Sequence, residues 1–407
     1  MQPSSSERIA VIDVIRAIAL FGIVIAHSGM AYLAGPQPSP DFGIFTGADQ
    51  FVDELVRVMA TGKFFSIFSF LFGLSFAIQL QRAQQKGKGF SLRFIWRLAV
   101  LFLIGFVHNA FFSGDILVVY ALLGLFLIPL RRVSPRVLVP ISLLLIFNVP
   151  GITSALIKSY APPPTAVEQQ MGLERAKQFA ITAKRQASIK QSGTIADVVR
   201  MNVTESLFQK VSFQIITGRL WITFGFFLLG MCAGKANLFQ RSKEHETFFR
   251  RLAIASGIAA LVTTVLTVLY PAAMILTSAD HLAAYFVLCV QNVTLAAFFA
   301  ACTTLLYWRQ FAGGLLNGLA AMGKMGLTTY LSQTAIGLII FYGFGFGLLG
   351  RTGVATCTAI GVGIYIAQIF AAQWWMRRFS QGPVEWLWRT LTYLKPQPIV
   401  QPKTTMA

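Results

Sequence analysis

Three ionisable side chains, Asp13, Arg16 and His27, stand in the first apolar run of the sequence. Such groups are costly in hydrocarbon and therefore mark functional candidates. Arg16 and His27 are eleven residues apart. At about 100° per residue this is three turns plus roughly 20°, so both lie on one helix face, about 16 Å apart along the axis. Asp13, three residues before Arg16, is placed to pair with it. This charged stripe must look into protein. Small shifts carry an imidazole across neutral pH, so His27 suits general-base work or transient acyl carriage. A guanidinium suits phosphate.

A second constellation is Gly105-Phe-Val-His108 followed by Gly114-Asp115-Ile-Leu-Val-Val-Tyr120. Asp115 reads equally as a helix cap, favoured by the helix dipole, and as a carboxylate that orients a base. His108 reads as an interfacial histidine or as a member of the site. Lys63, followed by the run Phe64 to Gly73, stands where an ammonium would stabilise a developing oxyanion. The stretch Gly323 to Thr334 is unusually polar for a span and includes Tyr330 and Gln333; Gln291 and Asn292 lie in another apolar run. Amides there need partners, either as bonds between helices or as cavity lining. His245 and His281 fall in loops and carry no assigned role.

The elements that must position these groups are membrane helices. Of 407 residues 55% are hydrophobic and only 12% charged, with a mean hydropathy of +0.65, against about 25% charged residues in an ordinary soluble domain. Apolar runs of about 20 residues, the length that crosses a bilayer, recur along the chain. The expected fold is all-α and polytopic, with about ten spans at 11–34, 62–81, 94–113, 115–131, 137–157, 213–235, 252–276, 282–307, 326–349 and 353–376, forming one membrane domain over 1–395. The polar segment 158–212 is expected as an external helical cap, and 396–407 as a flexible tail.

The net charge of +19 sits in short clusters between the apolar runs, such as Arg131, Arg132 and Arg136. This is the positive-inside pattern rather than a nucleic-acid surface, and it places both termini in the cytoplasm. Arg16 then lies near the inner surface, with His27, His108, Asp115 and Lys63 toward the outer one. Gly230–Gly234 and Gly343–Gly347 have the spacing that lets helices approach closely. Cys232, Cys289, Cys302 and Cys357 lie in apolar runs with no metal spacing and read as packing residues.

These runs resemble the YeiB family of bacterial membrane proteins. The resemblance is carried by Asp13-Val-Ile-Arg16, the Lys63–Gly73 run, Gly105 to His108 with Gly114-Asp115, Lys324 to Thr334, and Gln381-Gly-Pro-Val-Glu-Trp386-Leu-Trp388. It implies a wider tie to transmembrane acyltransferases, the bacterial glycan O-acyltransferases and the lysosomal heparan glucosaminide N-acetyltransferase. The O-acyltransferases open with Asp-Gly-Leu-Arg-Ala and a histidine eleven residues after the arginine, matched here by Asp13, Arg16, Ala17 and His27. YeiB-like proteins commonly carry asparagine at the position of His27, so this chain departs from its nearer family toward the catalytic one. The lumenal histidine before helix two of the N-acetyltransferases has no counterpart.

The expected function is transfer of an acyl group from cytosolic acyl-CoA to a hydroxyl or amine of an extracytoplasmic glycan or lipid, in a multi-pass protein of the bacterial inner membrane. Arg16, paired with Asp13, meets the donor's phosphates, and His27 is the base. Asp115 or His108 orients it or binds acceptor, Lys63 stabilises the oxyanion, and Tyr120 and Gln333 line the substrate path. The expected partners are the lipid bilayer and a small-molecule, glycan or lipid acceptor, with no metal and no nucleic acid; oligomers are compatible with the sequence. The alternatives are a transporter or flippase that uses the same polar groups as a path, although no two halves with matching interrupted helices are evident, and a structural role in which the stripe tolerates substitution.

Overall fold

Hydrocarbon offers backbone groups no partners, so an apolar run must close its hydrogen bonds within itself. The computed structural model describes residues 9–39, 41–85, 87, 89–270, 282–311 and 313–400. Among these it is helical, with an isolated bridge between Phe379 and Val400 as the only extended pairing. In chain order the helices are α1 (Ala10–Gly29), α2 (Gly47–Met59), α3 (Phe64–Gln85), α4 (Ser91–Phe111), α5 (Leu117–Leu130), α6 (Pro135–Ile146) and α7 (Val149–Ser159). There follow α8 (Ala166–Ser192), α9 (Ile195–Met201), α10 (Leu207–Ile216), α11 (Arg219–Lys235), α12 (Lys243–Leu269) and α13 (Leu282–Trp308). The chain continues through α14 (Gly313–Lys324), α15 (Gly326–Phe341), α16 (Val354–Met376) and α17 (Pro383–Tyr393).

Among the described residues six helical stretches are long and apolar enough to cross a membrane, or eight if each bent pair forms one span. The bent pairs are α6 with α7, at 51°, and α10 with α11, at 72°. The runs at 115–131 and 326–349 form helices of only 14 and 16 residues, shorter than the ~20 that span a bilayer. The expected ten spans therefore become six full-length ones, two broken ones and two short ones. The end of the run expected at 252–276 lies outside the described residues from 271 onward, as does His281.

Three helices were not anticipated. The first is α2, opened by a capping box between Thr46 and Asp49, and Asp49 also accepts the N–H of Ala355 at 2.9 Å in the first turn of α16. The second is α14, whose glycine content argues against a helix. The third is α17, whose Glu385 accepts from Leu327 N at 2.6 Å and Thr328 N at 3.1 Å, so it caps short α15 from another element. A carboxylate at a helix N-terminus meets both orphan N–H groups and the dipole.

The first span was expected to reach residue 34, but α1 stops at Gly29. Beyond it Ala31, Tyr32 and Ala34 adopt φ of 46°, 57° and 44°, a left-handed backbone that is costly without glycine. Tyr342 holds this turn by donating its hydroxyl to Tyr32 O at 2.9 Å, and the amine of Lys190 donates to Leu33 O. Lys190 belongs to α8, in the segment expected as an external cap, and burial lowers its amine to about 8. The expected helices do occupy that segment. In the tail, Ser380 N donates to Ile399 O at 2.8 Å and Trp386 Nε1 to Gln397 O at 2.7 Å. Residues 396–400 are thus tied to α17 rather than free; 401–407 lie outside the described residues.

The glycine pairs part company. Gly343 sits in a turn, where a Cβ would lie 2.3 Å from Gln191 O, and its N–H donates to Lys190 O at 2.9 Å. It seats α8 and does not join two spans, because α15 has already ended at Phe341. Gly230 of α11 does permit close helix packing. A Cβ there would come within 1.9 Å of Phe70 O on α3, and one at Gly73 within 1.9 Å of Phe227 O on α11. Backbone, not a movable side chain, fills each space. Gly230→Leu should therefore lower stability by about 3 kcal/mol or prevent folding, read as the thermal unfolding midpoint in detergent, whereas Gly172→Leu, with open space around it, should leave it unchanged.

Candidate functional site

The end of α4 and the start of α5 meet across the turn Ser113–Gly114. His108 lies in the last turn of α4, and Ser113 Oγ donates to Ala34 O at 2.8 Å, tying this turn to the one after α1. Asp115 is buried at 1% exposure. Its Oδ2 accepts the N–H of Val118 at 3.1 Å, which caps α5, while its Oδ1 lies 2.8 Å from His108 Nδ1. One oxygen thus caps α5 and the other lies on the imidazole of His108. A carboxylate at Nδ1 keeps the proton there, leaving Nε2 as the basic nitrogen. Among the described residues His108 Nε2 is buried with no hydrogen-bond partner.

Lys210 of α10 lies 3.9 Å from Asp115 Oδ2, and its amine donates to Asn109 Oδ1. One cation and one imidazole thus face one carboxylate away from water. The ring of His108 packs edge-on to Tyr330, centroids 5.2 Å apart, and against Phe112 at 5.9 Å. His27 reaches the same cluster from α1, at 5.1 Å from Phe112 and 5.6 Å from Tyr32. It stands within electrostatic range of His108 and of Arg219. The carboxylate is on His108, not on His27.

Below Tyr330 opens a cavity of about 280 Å³. Its lining is apolar at Phe68, Leu71, Phe72 and Leu101, and it also carries Tyr120, Tyr330, Glu385 and the basic side chains of Arg16, Arg97, Lys324 and Arg389. Arg16 bonds Asp13 at 2.7 Å, as the spacing predicts, and Gly323 O at 2.8 Å. The guanidinium of Arg97 lies 3.7 Å above the ring of Trp388, and Arg389 donates to Gln381 Oε1 at 3.0 Å. The arrangement is a basic rim over an apolar pit, which suits an anionic amphiphile.

The structure does not bring every expected residue here. Lys63 is fully buried, but its amine donates to Thr61 O at 2.9 Å and Arg57 O at 3.4 Å, where it closes the turn between α2 and α3. Gln333 donates to Gln368 Oε1 at 3.0 Å and joins α15 to α16. Tyr120 does line the cavity; its hydroxyl is bonded to Ser69 Oγ at 2.7 Å and donates to Phe65 O at 3.2 Å. Lys210, Asn109, Arg97 and Arg389 were not named as site residues, and Tyr330 only as a member of a polar run. Lys210 did carry a signal, as a lone charge in an apolar run. Among the described residues no cluster of three His, Cys, Asp or Glu side chains could hold a metal ion, and the four cysteines are free thiols.

These features describe a helical membrane protein with a buried histidine–carboxylate pair beside an amphiphile-sized pit. A family described as "Protein of unknown function (DUF418)" matches residues 233–395. The chain is 29% identical to the uncharacterized protein YxaH of Bacillus subtilis, over 98% of both chains. It is 28% identical to the uncharacterized protein YeiB of Escherichia coli, over 95% of this chain and 96% of that one. The resemblance to YeiB-like proteins read from the motifs thus holds over nearly the whole length. No solved structure matches.

Removing Asp115 would strand the Lys210 cation and unlock His108. Asp115→Ala should cost about 3–5 kcal/mol, and Lys210→Met in that background should recover part of it, as measured by thermal unfolding in detergent.

Proposed function

We propose that this protein is a transmembrane acyltransferase of the bacterial inner membrane, with the His108–Asp115 pair as its base. The observation that carries this reading is a buried imidazole with Nδ1 on a carboxylate and Nε2 unpartnered, one ring away from a basic-mouthed apolar cavity. In this reading the basic side of the cavity and both termini face the cytoplasm, as the positive-inside pattern of the basic clusters supports. An acyl-CoA would lay its phosphates on Arg16, Lys324, Arg97 or Arg389 and its acyl chain along Phe68 and Phe72, with the thioester carbonyl reaching Tyr330.

In this reading His108 Nε2 takes the proton of an acceptor hydroxyl as its oxygen bonds to the acyl carbon. The carbon–sulfur bond then breaks, and His108 returns the proton to the departing thiolate. The carboxylate holds the tautomer and stabilises the imidazolium, as in other carboxylate–histidine bases. His27, across Phe112, faces the acceptor rather than the donor.

The bent pairs α6–α7 and α10–α11 favour a second reading, a transporter or flippase, since broken helices line the substrate sites of many transporters. It predicts uptake into proteoliposomes without any acyl donor.

The test is mass spectrometry of surface glycans and lipids from cells with and without the gene. The deletion should lose an acyl mass that the wild-type gene restores. His108→Ala should lower its restoration by about 10²–10⁴-fold at unchanged membrane levels. Full restoration by that variant would remove the mechanism.

A further inference from the structure

A second, smaller cavity of about 150 Å³ lies at the N-terminal end of α3, where Phe65 and Ser66 line it; the larger one begins at Phe68 on the same helix. We propose that this smaller cavity binds a phosphorylated polyol, with its phosphate on Arg219 and its hydroxyls on the side-chain oxygens of Gln291 and Asn292.

The argument rests on what the walls offer. Gln291 is fully buried; its Nε2 donates to Thr264 Oγ1 at 3.2 Å, and its Oε1 has no partner among the described residues. Asn292 Oδ1 is likewise buried and unpartnered. Four wall hydroxyls donate to nearby carbonyls, Ser66 to Gly62 O, Thr217 to Phe213 O, Thr61 to Val56 O and Thr267 to Thr263 O, while that of Tyr285 accepts from Asn148 Nδ2. The two amide oxygens are the buried acceptors left without a donor, which is costly unless an occupant supplies one.

Charge narrows the chemistry further. Arg219 lies over the faces of Phe65 and Phe213 at 4.9 and 5.2 Å and, among the described residues, meets no carboxylate. Arg57 on the opposite wall is already held by Glu54. Water would hydrogen-bond the amide oxygens and the guanidinium but leave the cation without a counter-charge, whereas an anion bearing hydroxyls supplies both. A volume of this size holds a benzene ring in an apolar setting, so the bound group is of the size of a glycerol phosphate. With Arg219 in electrostatic range of His27, the group is placed as acceptor; this role, but not the binding, rests on the acyl-transfer reading.

The test uses the full-length protein in nanodiscs and two probes, free sn-glycerol 3-phosphate by calorimetry and phosphatidylglycerol by native mass spectrometry. Binding of the first identifies a soluble polyol phosphate, and binding of the second alone a lipid headgroup. Glycerol and inorganic phosphate should each bind at least about tenfold more weakly than the probe that binds. Arg219→Gln and Gln291→Leu should each weaken binding about tenfold or more, with Arg219→Lys in between and unfolding midpoints near wild type. Binding of neither probe, or equal binding by both variants, overturns the site. His108→Ala should keep binding and lose transfer. Binding with no transfer even by the wild-type protein would remove the enzyme reading and leave the site, and transfer unaffected in Arg219→Gln and Gln291→Leu would do the reverse.

Discussion

Asp115 must be answered from every side, because an ion taken out of water costs several kcal/mol unless partners replace its hydration. Here the partners come from different elements. Val118 N belongs to α5, His108 to α4 and Lys210 to α10. The carboxylate therefore fixes the α4–α5 corner and also fastens α10, the first half of a bent pair, against it. The pairing that organises this corner engages His108 through Nδ1 and leaves its Nε2 buried without a partner among the described residues.

The opening helix supplies the second constraint. Arg16 and Asp13 answer each other, and Arg16 reaches on to Gly323 O, the end of α14. At the other end of α1 the chain leaves the helix in a left-handed turn held by Tyr342 and Lys190. Strain of this kind persists only where the surroundings over-determine it, and it lies directly after His27. The polar helix α8 is thus part of the frame that seats the histidine cluster, since its Lys190 closes the turn.

How much of this was legible follows from the range of each interaction. The Asp13–Arg16 pair and the close approach at Gly230 depend on helical periodicity, and periodicity is written in the sequence. The apolar runs likewise announce their helices, although not that α6–α7 and α10–α11 are bent. The partner of Asp115 was within reach, since His108 is only seven residues away, but choosing it over His27 required the geometry of the Ser113–Gly114 turn. The setting of Lys63 was not legible, because its amine binds carbonyls of Thr61 and Arg57 at the end of α2 and just beyond it, an element whose polarity resembles a loop. Gln333 was ambiguous in principle, because an amide inside a span serves equally as glue or as lining.

Both cavities are lined in part by α3, and what stands along that helix bears on mechanism. Along α3, Phe65 and Ser66 face the smaller space and Phe68 the larger, a separation of two or three residues, roughly 3–4.5 Å of rise. Tyr120, which lines the larger cavity, is hydrogen-bonded to Ser69 and to the carbonyl of Phe65, and its ring meets Phe72 and Phe227 edge-on. An open conduit through this region would need that buried aromatic layer to part. The proposed acyl transfer would leave it in place, since it asks only for a carbonyl at Tyr330 and an acceptor at His108 Nε2, which has no partner among the described residues.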